Sequence, residues 1–206
     1  MKKWLVLMIA IAGIGVFSGL AIKAQAPNQT ELPQFGADNE LKRPENYREW
    51  IYLSSGLGMS YSAAATAANN ANPPFDNVFV TPSAYRSFLQ TGTWPDKTMF
   101  VLELRGSASE GSINKQGRFQ GQVLAVEVEV KDESRFPGKW AFYEFGRNAA
   151  SAKPLPTTAS CYSCHAQNGA VDNTFVQFYP TLFEVAKKMG TVKATYDPLH
   201  KAGGGQ

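Results

Sequence analysis

Hydrophobic and polar residues alternate most plainly over residues 122–131. Val126, Val128 and Val130 fall on one side there, and Glu127, Glu129 and Lys131 on the other. A period of two is the signature of a strand with one face buried. Residues 98–105 form an apolar-rich run, introduced by the turn Pro95-Asp96-Lys97 and bounded by Gly106. Residues 140–145 form an aromatic run after the turn Phe136-Pro137-Gly138, and residues 51–53 and 77–80 read as shorter strands. The glycine- and serine-rich residues 106–121 read as the connection between the two longest strands.

Helical spacing is confined to the flanks. Pro44 opens a short helical turn through Trp50. At Thr81-Pro82 a capping hydroxyl precedes a proline suited to the first helical position. Tyr85, Phe88 and Leu89 follow at i, i+3 and i+4, and Gly92 can end the helix in a left-handed conformation. Residues 181–189 form a second helical stretch stopped by Gly190, whereas residues 147–160, with Pro154 and Pro156, read as loop. Residues 69–74, ending in Pro73-Pro74, also read as loop. Strands in the middle and helices at the ends predict an α+β fold. The expectation is a predominantly antiparallel sheet with flanking helices in a single domain, residues 44–195. Residues 27–43 are polar with little periodicity and read as a linker, and residues 196–206 as a flexible tail.

The chain has 206 residues, 44% hydrophobic and 18% charged, enough for one domain with a real core. A net charge of +3, with no block of Lys and Arg, argues against a nucleic-acid partner. At the N-terminus Lys2 and Lys3 precede an uncharged, mostly apolar run, then Lys23 and the small-x-small pattern Ala24-Gln25-Ala26. Residues 1–26 therefore read as an export signal. The apolar run of about 19 residues is also long enough to span a bilayer, and Pro27 is an awkward neighbour for cleavage. Cleavage and retention as an N-terminal anchor both leave the domain outside the cytoplasm, and the expected location is periplasmic. A membrane enters only if the segment is retained.

Cys161-Tyr162-Ser163-Cys164-His165 is the C-x-x-C-H attachment sequence of a c-type haem. Each thiol adds across one porphyrin vinyl group, and two intervening residues let both sulfurs reach adjacent vinyls. The next residue then lies beneath the iron, which makes His165 the axial metal ligand. The motif uses both cysteines in the chain and one of its two histidines. A structural disulfide over so short a loop stabilises little. A thioredoxin-type redox pair wants a strand before it and a helix starting at the first cysteine, and proline-containing loop precedes this one. Structural zinc wants four ligands, with only His200 to add. The reading is one covalently attached haem c.

The opposite axial position separates the functions. An electron carrier fills it with a second strong ligand, commonly Met or His. His200 lies near the tail, and Met59, Met99 and Met189 are each explained by core filling. The expectation is five-coordinate iron with an open position. Phe100 and Leu102 share a strand face and are candidates to cap it, with ordinary core packing as the alternative.

Beyond that motif the sequence resembles the cytochrome P-460 family, with its structurally similar cytochromes c′-beta. The matching residues are Asn46-Tyr47-Arg48-Glu49-Trp50, then Thr91-Gly92 leading into Pro95-Asp96-Lys97-Thr98. Val130-Lys131-Asp132 and Trp140-Ala141-Phe142-Tyr143 follow, then Cys161 to His165 with Asp172 and Phe178-Tyr179-Pro180. They occur in family order over residues 44–190. The resemblance implies a mostly antiparallel β fold, a homodimer and an open distal haem face. It also implies chemistry on small nitrogen species: hydroxylamine oxidation in the P-460 enzymes, nitric oxide binding in the c′-beta relatives.

Carried over by position, His165 matches the proximal ligand and the two cysteines the thioether residues. Glu127 falls where the hydroxylamine-oxidising enzymes hold a carboxylate above the haem, a candidate catalytic proton acceptor. The alternative is a solvated strand face shared with Glu129 and Lys131. Two departures count against the enzyme. The lysine bonded to the porphyrin corresponds to Leu102, with Lys97 on the opposite strand face, and the distal arginine has no clear match near Asp76 and Asn77. The leading expectation is a haem protein that binds a diatomic or small nitrogen-containing ligand such as nitric oxide. The alternatives are an oxidoreductase acting on hydroxylamine or peroxide, and an electron shuttle with an unidentified redox partner.

Overall fold

The computed structural model describes residues 28–61 and 72–196. The expected export signal, the end of the tail and part of the proline loop near residue 70 lie outside the described residues. Seven strands and three α-helices are present among those described. The strands are β1 (Leu41–Lys42), β2 (Ile51–Leu57), β3 (Phe75–Val80), β4 (Met99–Ala108), β5 (Phe119–Lys131), β6 (Trp140–Glu144) and β7 (Ser151–Ala152). The helices are α1 (Pro82–Thr91), α2 (Ser160–Asn168) and α3 (Pro180–Met189). β2 to β6 form one antiparallel sheet in sequence order, and β1 pairs with β7. The fold is α+β, as the alternation and its flanks predict.

The sheet is buried on both faces. The valine face of β5 packs with Met99 and Val101 of β4, Ala141 and Tyr143 of β6, and Tyr47, Trp50 and Phe136. On the other face Val80, Phe100 and Trp140 meet Ala84 and Phe88 of α1, Trp94, and Leu182 and Ala186 of α3. The two helices thus cover the Phe100 end of that second face. Its Glu127 end is left to α2, which lies against β6.

Several details differ from the sequence reading. β4 runs through Gly106 to Ala108, and β5 begins at Phe119, with Ser107 opposite Gln120. Ladder hydrogen bonds need no side chain, so pairing outlasts the apolar pattern that marks it. Helix α1 starts and ends where expected, with Gly92 at φ 71°. Its buried residues are Ala84 and Phe88, while Leu89 is exposed. Thr81 makes no side-chain cap; instead Glu31 Oε2 accepts from the Ser83 N–H at 2.7 Å. A carboxylate there meets the positive end of the helix dipole.

Glu31 belongs to residues 27–43, and the linker reading of that segment is corrected. Leu41 is fully buried in the first core with Phe35 packed against it. The Tyr143 hydroxyl donates to the Asn39 carbonyl at 3.1 Å, and Arg135 to Asn39 Oδ1 at 2.8 Å. The segment is held by two apolar anchors, a two-residue strand and side-chain hydrogen bonds, none of which gives a periodic signal. The same holds for β7, hidden in residues read as loop.

Candidate functional site

Helix α2 carries the attachment sequence. Its Cys161, Cys164 and His165 stand at i, i+3 and i+4, so they share one helix face. The helix buries none of its residues completely. It meets the sheet through Tyr162 and His165, whose rings lie 4.8 and 4.6 Å from that of Phe142 on β6. The Tyr162 hydroxyl donates to the Leu155 carbonyl at 3.1 Å. Both thiols are unpaired and half-buried. Burial pushes the Cys161 thiol up, and Glu144 and Glu127 add to that, although nearby backbone N–H groups oppose it.

His165 is held from three sides. Phe142 lies on one side and Phe175, at 4.3 Å between ring centroids, on another. At the third, the Asn173 carbonyl oxygen is 2.9 Å from Nδ1, and Glu129 Oε1 is 3.3 Å from the same nitrogen. A backbone carbonyl oxygen can only accept, so Nδ1 carries the proton, which leaves the Nε2 lone pair available to a metal. Burial opposes a charged imidazole, but Glu129, the Asn173 carbonyl and Glu127 outweigh it and raise the His165 pKa.

The loop that supplies the carbonyl is tied down strongly. Asp172 and Asn173 both have positive φ, 48° and 64°, the left-handed region that Asn and Asp tolerate best. Lys131, buried on β5, bridges Asp172 at 2.5 Å and donates to the Trp94 carbonyl at 2.8 Å. Trp94 Nε1 donates to Thr174 Oγ1 at 2.8 Å, and Lys193 Nζ to Asn173 Oδ1 at 2.8 Å. Gly169 lets the loop close on α2. A Cβ there would lie 2.7 Å from the Asn173 carbonyl carbon and 2.8 Å from the His165 carbonyl oxygen.

The sheet face opposite α2 is neither solvated nor wholly apolar. Glu127 stands across from Leu102 on β4 and Glu144 on β6, and Glu129 across from Phe100 and Phe142. Burial raises the Glu127 carboxyl, and Glu144 and Asp76 add to the shift while His165 opposes it. Asp76, on the same face of β3, is pushed up to about 6 by burial. Phe100 lies in the second core, 4.7 Å from Trp94 and 6.4 Å from Tyr179 between ring centroids. Leu102 is half-buried beside Glu127.

Three methionines are candidates for a second axial ligand. Met99 is buried in the core on the far side of the sheet, and Met189 is exposed at the end of α3. The Met59 sulfur sits by Gly56, 2.5 Å from where a Cβ would stand, with Asp76 Oδ2 3.2 Å from the same point. Lys97 points away from this face and pairs with Asp132. His200 lies outside the described residues.

Sequence reasoning missed Phe142, Phe175, the Asn173 carbonyl, Asp76 and, above all, Glu129. Glu129 left the plainest signal: it shares a strand face with Glu127, two residues away, while Phe142 and Asp76 stood only within or beside residues matched to the family.

A family model described as Cytochrome P460 matches residues 44–176, about two thirds of the chain and inclusive of the Cys–His sequence. No curated protein matches.

Proposed function

This chain belongs to the cytochrome P460 family and is a haem-binding cytochrome; on that basis we propose that Cys161 and Cys164 hold one haem covalently, with His165 as its axial ligand. One observation carries the proposal: His165 Nδ1 is engaged by the Asn173 carbonyl, so Nε2 is the free nitrogen, on the helix face that also bears two unpaired thiols. The donor set fits the group. A bound haem supplies an iron that takes small ligands and exchanges electrons.

The protein's own residues do the rest. Phe142 and Phe175 fix the plane of the imidazole, and the Lys131–Asp172 pair holds the carbonyl that fixes its tautomer. Leu102, half-buried beside Glu127, supplies an apolar side chain on the sheet side. Met99 and Met189 lie away from this face, which supports five-coordinate iron binding a diatomic such as nitric oxide, while Met59, near Asp76, is the methionine that a six-coordinate state would draw on. The N-terminal sequence supports export to the periplasm, and the family resemblance supports a homodimer.

The test is a mass and an absorption spectrum of protein matured in a host that attaches haem. One added haem, a high-spin ferric spectrum and a new spectrum with nitric oxide are expected. The bare polypeptide mass would overturn the proposal, and a low-spin six-coordinate spectrum would turn it toward electron transfer.

One observation favours a second reading, oxidation of hydroxylamine. Glu127 is a half-buried carboxylate whose raised pKa suits proton acceptance nearer neutral pH. Glu127→Ala should then abolish turnover while leaving nitric oxide affinity nearly intact. Wild-type protein inert with every oxidant tried would end this reading.

A further inference from the structure

The imidazole of His165 has one Nδ1–H and two oxygen atoms within its reach. The Asn173 carbonyl is the nearer, at 2.9 Å, and is fixed by the loop network described above. Glu129 Oε1 is 3.3 Å away and differs in kind. It is a side-chain oxygen on a strand, free to move by rotation about its own χ angles. It is buried and makes no hydrogen bond among the described residues, and its side chain is only 11% exposed. A buried polar atom left unsatisfied destabilises the fold, more so when it is charged. The Nδ1–H of His165 is the donor poised to satisfy it.

We propose that Glu129 is a positioning residue for the axial ligand: its carboxylate takes the Nδ1–H of His165 in exchange with the Asn173 carbonyl, and so sets how strongly Nε2 donates to the iron. No bond to hydrogen breaks. The proton stays on Nδ1 and changes acceptor, from a neutral carbonyl to a carboxylate that forms a bond roughly twice as strong. A carboxylate at the distant nitrogen raises the basicity of the ligating one. Stronger donation lowers the reduction potential and stiffens the iron–imidazole bond. The strand period makes the division of labour possible. Glu129 and Glu127 are two positions apart on one face of β5, and Glu129 alone reaches Nδ1 among the ion pairs of the described residues.

The inference rests on the haem ligation proposed above, and its test separates the two. Haem-loaded wild type, Glu129→Gln and Glu127→Gln are compared by resonance Raman spectroscopy of the ferrous iron–histidine stretch and by redox titration. Glu129→Gln should lower the stretching frequency and raise the potential. Glu127→Gln removes the same charge from the same strand face and should leave the stretch unmoved. No iron–histidine band in wild type would remove the ligation itself. A normal band in wild type, unmoved in Glu129→Gln, would sink this inference alone. Equal potential shifts in both variants with no change in the stretch would reduce Glu129 to a nearby charge and also sink it. Glu129→Asp keeps the charge and loses the reach, so it should lower the stretch as Glu129→Gln does. That variant decides the matter if the glutamine protein does not fold, and a wild-type frequency in it would overturn the proposal.

Discussion

Glu103 is a buried carboxylate with four side-chain donors, and it lies on the side of β4 away from the candidate haem face. It is 2% exposed. It accepts from the Tyr47 hydroxyl, from Arg48, from Arg105 Nε at 2.5 Å and from Asn77 Nδ2 at 3.5 Å. The informative perturbation is Glu103→Gln, which keeps the shape and one acceptor but turns an amide NH₂ toward guanidinium donors. Hydrogen bonds to charged groups contribute about 1.5–3 kcal/mol each. Arg48 is more than half exposed and counts for little. Tyr47 and Arg105 remain, and after the desolvation that a buried charge suffers in either case, a net loss of about 3 kcal/mol follows. For a domain of this size that is a fall in Tm of about 6–12 °C.

The loss depends on pH. Burial alone would push the Glu103 carboxyl up, but Arg105, Tyr47 and Arg48 together hold it below its ordinary 4.5. A depressed carboxyl stabilises the fold above the unfolded value, and that contribution disappears as pH falls through the folded one. Urea unfolding of both proteins, followed by circular dichroism from neutral to about pH 3, should give stability curves that converge at the acid end. A variant within about 1 kcal/mol of wild type at neutral pH, or curves parallel throughout, would refute the reasoning.

Asp76→Asn should act in the opposite sense. A carboxyl raised from 3.8 to about 6 favours folding only while protonated, so its benefit is lost as pH rises through about 6. The variant should gain up to about 2 kcal/mol at neutral pH, allowing for partial exposure, and nothing below about pH 4 in the same titration. Gly169→Ala forces backbone against backbone and should cost about 1–3 kcal/mol. It should also shift the Soret band of the haem protein, because the Asn173 carbonyl must leave His165. Lys131→Met strands Asp172 and frees the Trp94 carbonyl, and should lower stability by about 2 kcal/mol in a thermal melt.

Much of this was legible in the sequence because it is periodic or local. The valines of β5, the proline and glycine that bound α1, and Gly190 after α3 each leave a mark within a few residues. So does the Cys–His sequence on α2. What escaped depends on pairing across the chain. Leu41 gives no pattern, yet it is fully buried because β1 meets β7 some 110 residues later. Asn173 acts through its carbonyl, which every residue has, so its type says nothing of its role beyond tolerance of a positive φ. A solvated face stayed open as the alternative for Glu129 because alternation reports two faces without saying what covers either.

The two faces of β5 are kept apart by register alone. Moving the strand one residue along β4 would turn Glu127 and Glu129 into the valine core and present Val126, Val128 and Val130 to His165. Length changes in the hairpin tip, residues 109–118, leave that register alone and should be tolerated. A single-residue insertion between Val126 and Val130 inverts whatever lies beyond it. Tolerance of such insertions, scanned along the hairpin, should therefore drop abruptly where the strand begins to face the imidazole.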